Sequence, residues 1–241
     1  MISFTNMKKR EGGFTLLELL IVIAIIAILS IALVFMLNPA ETLKKARDAQ
    51  RISDLKSVKT ALGIMLTASS TPSLDNFGTL CLTAADGVAR AGKIAYSSAS
   101  APTWATPPTP ATTGGDAITG STFTSPGSIS STAGKVDGTG WIPVNLKALT
   151  GGTPISSFPI DPTNAIGTLS ATDLDDLVYR YACQNGSSAA GKPSYIFEIN
   201  AVLESQAYKT DELKMAKDGG DNDSYYETGN SLNLLPTTTN F

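Results

Sequence analysis

From residue 14 to residue 37 nearly every position is apolar, and Glu18 is the one charge inside the run. Twenty-four helical residues at 1.5 Å each extend about 36 Å, more than the roughly 30 Å hydrocarbon core of a bilayer, so the segment is long enough to span one. Beyond it the period changes. Leu43, Ala46, Ile52, Leu55, Leu62 and Met65 recur at steps that suit one face of a helix, while Lys44, Lys45, Arg47, Arg51 and Lys56 take other positions. The spacing predicts a helix continuing to residue 67, a rod of about 80 Å, with Pro39 bending it or freeing a carbonyl. The basic positions read as a solvated or subunit-facing surface rather than a lipid or DNA contact.

Residues 68–96 are mixed, and Leu74, Phe77, Leu80 and Leu82 are available to pack over the helix. Residues 97–134 are rich in Ser, Thr, Pro and Gly with Asp116 as the only charge, which predicts an exposed loop of low regularity: a spacer, or a carrier of O-glycans. In "GWIPVNLKAL", Trp141, Ile142, Val144 and Leu146 predict an edge strand interrupted by Pro143, and "FPIDPTN" predicts a turn. "LVYRYACQ" sets Leu177, Tyr179, Tyr181 and Cys183 against Val178, Arg180 and Ala182. "SYIFEINAV" sets Tyr195, Phe197 and Ile199 against Glu198 and Asn200, so the two read as antiparallel neighbours. The fold class is α+β: a long N-terminal helix whose second half, residues 38–67, covers a small antiparallel sheet in a head spanning residues 68–241.

The chain contains no histidine, which excludes Ser-His-Asp and Cys-His nucleophiles and every histidine-ligated metal site. Charge is uneven. The first 13 residues carry +2, Glu18 carries −1 and residues 41–59 carry +3, so a total of −3 leaves −7 on residues 60–241. An acidic head argues against direct nucleic-acid binding, which needs clustered Lys and Arg. Cys81 and Cys183 have no metal-like spacing and pair as one disulfide if the head faces an oxidising compartment; two separate buried thiols are the other reading. Near the C-terminus, Asp218, Asp221, Asp223 and Glu227 cluster with paired glycines. Hard oxygen donors at close spacing suit calcium, though not in EF-hand register; a solvated Asx- and Gly-rich turn is the alternative, and no other cofactor is implied. Asn185-Gly186-Ser187 and Asn222-Asp223-Ser224 fit the N-glycosylation pattern.

The apolar run is longer than the 7 to 15 residues or so of a secretory signal, and its small residues, Gly12 and Gly13, precede it. "GGFTLLELLIVIAIIAIL", behind Lys8, Lys9 and Arg10, resembles the class III signal of type IV prepilins and type II secretion pseudopilins. The resemblance spans roughly residues 7–67. It implies removal of a basic leader, residues 1–13, by a prepilin peptidase that cleaves between Gly13 and Phe14 and methylates the Phe14 amine. It also implies a single-pass membrane protein with its N-terminus inside and its head outside, which pilus assembly machinery draws into a homopolymer or mixed filament. Glu18 would meet the Phe14 amine of a neighbouring subunit, relieving a carboxylate that costs about 3 kcal/mol in mid-bilayer and less near an interface. The alternative is that Glu18 snorkels to the headgroups. Many type IV pilins carry a proline inside the apolar segment, whereas here Pro39 comes after it. Major pseudopilins bind calcium in a C-terminal loop that the Asp218–Glu227 stretch resembles in position and character. The implied function is a structural subunit of a pilus, pseudopilus or DNA-uptake filament, not an enzyme; the alternative is an anchored extracytoplasmic binding module with the helix as a tether.

Overall fold

A run mostly of Leu, Ile, Ala and Val, with no Gly or Pro, gives α1 (Leu16–Leu37). It stops at Asn38, which adopts the left-handed conformation at φ 38°, ψ 70°. The cause is Pro39, whose ring disfavours helical geometry at the residue before it and which has no N–H to donate. Asn tolerates the left-handed turn better than most residues. Pro39 then takes the first position of α2 (Pro39–Ala68), where a missing N–H costs nothing. Asn38 restarts the ladder by accepting the N–H groups of Glu41 and Thr42 at 3.1 and 3.2 Å. Two helices therefore stand where the hydropathy pattern predicts one bent rod.

The computed structural model describes residues 12–76, 78, 80–84, 91–97, 111–112, 114–118, 121–124, 134–165, 176–187 and 191–236. Residues 1–11 of the basic leader, Phe77 and most of the 97–134 stretch lie outside them. The chain divides into two units at Leu43/Lys44. α1 belongs to the first, and the rest of α2 and the head to the second.

The head is built on β6 (Arg180–Ser187) and β7 (Ile196–Ala201), antiparallel with Tyr181 opposite Ile199 and Cys183 opposite Phe197. β8 (Tyr226–Gly229) adds to the far edge of β7, antiparallel. The near edge of β6 takes β3 (Ala95–Tyr96) antiparallel and β1 (Leu82–Ala84) parallel, so the sheet is mixed rather than purely antiparallel. A second sheet joins β2 (Ala91–Lys93), β5 (Thr122–Thr124) and β4 (Ala111–Thr112). No strand forms over 141–146. Pro143 cannot donate, Val144 turns back onto the Ile142 carbonyl, and a 3-10 turn follows at Leu146–Ala148.

Both faces of the main sheet are buried. Tyr179, Tyr181, Cys183, Phe197 and Ile199 pack with Leu55, Val58, Leu62 and Met65 of α2 and with Trp141 and Phe158. On the other face Val178, Ala182 and Ile196 pack with Tyr96, Phe123, Tyr225 and Leu234. The cover of that second face, drawn from the small sheet and the C-terminal stretch, was not expected from strand alternation. Cys81 and Cys183 are bonded, tying the approach to β1 to the middle of β6 across 102 residues.

α2 presents an additional surprise. Its buried stripe runs 48, 51, 55, 58, 62, 65, one heptad face, and its first two members are Asp48 and Arg51, both fully buried. Arg51 thus belongs to the inner face and not to the basic outer one, and Leu43 is 62% exposed.

Candidate functional site

The chemistry-bearing segment begins in open chain. Gly12, Gly13 and Phe14 precede the helix, Phe14 is 87% exposed, and a side chain added at Gly13 would meet nothing within 4 Å. The Gly13–Phe14 peptide is therefore presented in non-helical backbone, accessible to a protease that needs extended chain.

Thr15, in extended geometry, is the N-cap of α1. Its hydroxyl oxygen accepts the Glu18 N–H at 3.2 Å, and the Glu18 carboxylate accepts the Thr15 N–H at 2.9 Å and the Thr15 O–H at 2.8 Å. This capping box satisfies two of the helix's orphan donors and places a negative charge at the positive end of the macrodipole. Glu18 thus has partners within its own helix, one residue from Phe14. Composition and spacing led to Glu18 but not to Thr15, although the T-x-x-E pattern before an apolar run is a legible cap signature.

Further along, the only other polar side chain of α1, Ser30, donates to the Ile26 carbonyl at 2.7 Å, so the helix offers lipid no unsatisfied hydroxyl. From Leu16 through Ile25 and Leu33 to Leu37, its described apolar side chains are exposed. Among the described residues α1 is the one stretch long and apolar enough to cross a membrane.

In the head, α2 is locked by a buried ionic cluster. Arg51 donates from Nε and Nη2 to both oxygens of Asp161 at 2.6 and 2.9 Å, and from Nη1 to Asp48 at 2.8 Å; the Nη1–Glu204 distance is 3.1 Å. Asp48 also accepts the N–H groups of Glu204 and Ser205, and Arg47 pairs with Glu204 at 2.7 Å. Burial pushes the Glu204 carboxyl up, but hydrogen bonds from Arg47 and Arg51 outweigh it and hold it below the usual range.

The C-terminal acidic residues separate by role. Asp218 accepts the N–H of Gly220 at 2.9 Å and of Glu227 at 2.6 Å, closing a turn. Glu227 lies not in a loop but in β8, buried, with its carboxyl beside that of Glu198 of β7. Glu198 also accepts the N–H groups of Leu234 and Leu235, both at 2.9 Å. Burial, then the proximity of each to the other, raises Glu227 far above the carboxylate range, and burial raises Glu198, so the pair shares a proton. Asp221 is half-buried and Asp223 exposed. Among the described residues no group of three or more acidic or sulfur side chains is placed to hold a metal ion.

Residues 8–34 match the family model of the prokaryotic N-terminal methylation motif. The N-terminal segment is thus a type IV pilin-like class III signal. That motif marks structural proteins that are anchored in a membrane by the helix behind it. No curated protein and no solved structure matches the chain.

Proposed function

We propose that this chain is a structural subunit of a type IV pilus or secretion pseudopilus, cleaved between Gly13 and Phe14, methylated on the new Phe14 amine, and polymerised through α1. The observation that carries the reading is the pairing of an accessible Gly13–Phe14 bond with an apolar helix that no part of its own unit buries. Such a helix needs lipid before assembly and other copies after it. Glu18 supplies the direction. Cleavage creates a cation at a helix N-terminus, where the macrodipole disfavours it, and the carboxylate one turn in neutralises that charge on a neighbouring subunit. The precursor sits in the cytoplasmic membrane with its N-terminus inside, and its partners are prepilin peptidase, the assembly platform and other pilins. An oxidising exterior for the head agrees with the Cys81–Cys183 bond.

Mass spectrometry of the chain recovered from membranes and from sheared fibres tests the proposal. Methylated Phe14 at the N-terminus is the expected result. A chain still carrying residues upstream of Gly13 in both fractions overturns it.

A further inference from the structure

A cavity of about 270 Å³ opens where α2 ends. Its polar lining comes from Asn76, Asn145 and the Ser and Thr residues at 69, 70, 71, 73 and 150, and Met65 and Leu149 supply an apolar wall. None of the described lining residues is ionisable. We propose that this cavity binds a neutral polyhydroxylated ligand, a single sugar ring, independently of the filament role.

Three observations carry the proposal. The first is the lining itself: two Asn and five Ser or Thr residues stand around one cavity, a density of uncharged donors and acceptors that suits a ligand rich in hydroxyls. The second is charge. An anion would face the negative end of the α2 dipole with no cation to hold it, and a cation would find no carboxylate. Asp75, the nearest acidic residue in the chain, already accepts the N–H groups of Leu80 and Cys81. Hydroxyls and amides that both donate and accept match a sugar's hydroxyls, and an apolar wall matches its C–H face.

The third observation is rigidity. Residues 69–76 are pinned by Leu74, which is fully buried; its N–H donates to Asn185 at 2.9 Å and its carbonyl accepts the Tyr181 hydroxyl at 2.7 Å. Asn76 itself is held in the left-handed conformation, and its amide nitrogen would lie 2.8 Å from a Cβ at residue 138. Gly138, at φ 90°, is the residue that lets Asn76 sit there. A pocket whose polar groups are fixed in advance loses little entropy on binding. Its size admits one ring, at the small end of the roughly 300–1,000 Å³ range of ligand pockets.

The test is saturation-transfer NMR and calorimetric titration of the full chain in detergent with methyl glucoside, methyl galactoside and N-acetylglucosamine. Glucose 6-phosphate and glucosamine serve as charged controls. At least one neutral sugar should bind saturably in the millimolar range, and Asn145→Leu and Ser70→Arg should each weaken it about tenfold or more. Ser70 is exposed, so Ser70→Arg closes the mouth without disturbing the core and decides the matter if Asn145→Leu does not fold. The proposal is overturned if no neutral sugar saturates, if binding survives Ser70→Arg, or if the charged controls bind as tightly.

Discussion

At Glu18 the proposed function gives one carboxylate two purposes in sequence. In the precursor it closes a capping box with Thr15, so the charge that would be costly in lipid is spent on the helix's own orphan N–H groups. On the proposed function, cleavage then creates the Phe14 amine four residues, about one turn, before Glu18, and the same carboxylate serves as the site for a neighbour's cation. Glu18→Ala should therefore leave the chain in the membrane and cleaved, yet reduce its yield in sheared fibres about tenfold or more, an intersubunit charge contact of roughly 1.4 kcal/mol or greater. Equal fibre yield would remove the carboxylate from assembly and favour the tether. Thr15→Val loses only the cap, and its effect should stay near 1 kcal/mol on α1, with fibres still forming. The charge of Glu18 was conspicuous because it interrupts an apolar run; Thr15 was not, because a threonine beside Leu16 draws no attention until its spacing to Glu18 is tested.

Among the elements, strands β6 and β7 were legible because alternation survives in them: Tyr179, Tyr181 and Cys183 do face one core and Val178 and Ala182 the other. Alternation could not show that both faces are covered, since Arg180 and Glu198 read as solvent-facing yet are buried, Arg180 beneath the Tyr96 and Tyr225 rings. Residues 141–146 looked strand-like by content, but Pro143 removes the ladder donor and turns win. Arg51 misleads for a related reason: a cation on an amphipathic helix is usually outside, and only its i−3 partner Asp48 and the heptad spacing to Leu55 place it inside. The cluster is also where α2 is held to the head. Arg51→Ala should destabilise the head by about 3–5 kcal/mol, because it leaves Asp48 and Asp161 buried without a cation. The drop in urea midpoint measures it. Asp161→Asn in the same background should then cost much less than it does alone, since the two share one interaction.

At the scale of the molecule, the two units answer to different environments, and their stabilities should respond to different variables. Residues 1–43 include an exposed apolar helix, which the proposed function places in lipid and then among other copies. Residues 44–241 carry two cores, a disulfide and the buried charges. Reducing Cys81–Cys183 releases a loop of about 100 residues, which in the chain-entropy view costs about 4–5 kcal/mol, so a reductant should lower the melting temperature of the head while leaving membrane retention unchanged. The pH response of the head follows from two opposed sets of carboxylates. Glu204 is depressed, so its contribution is present above the unfolded carboxylate range and is lost as pH falls through its folded value. Glu227 is raised by burial and then by Glu198, and Glu198 is raised by burial. The native state keeps a proton there that the unfolded chain releases above about pH 4.3, so their contribution is full below that range and shrinks as pH rises toward the folded value. Stability should accordingly peak in mild acid and decline through neutrality into alkali. Glu227→Gln replaces the shared proton with a permanent amide donor to Glu198, and it should flatten the alkaline decline while leaving the acid limb set by Glu204 unchanged. Urea midpoints of the full chain in detergent, taken from mildly acidic to mildly alkaline pH, separate the two limbs. An alkaline limb of unchanged slope in Glu227→Gln would show that the proton shared between β7 and β8 does not govern it.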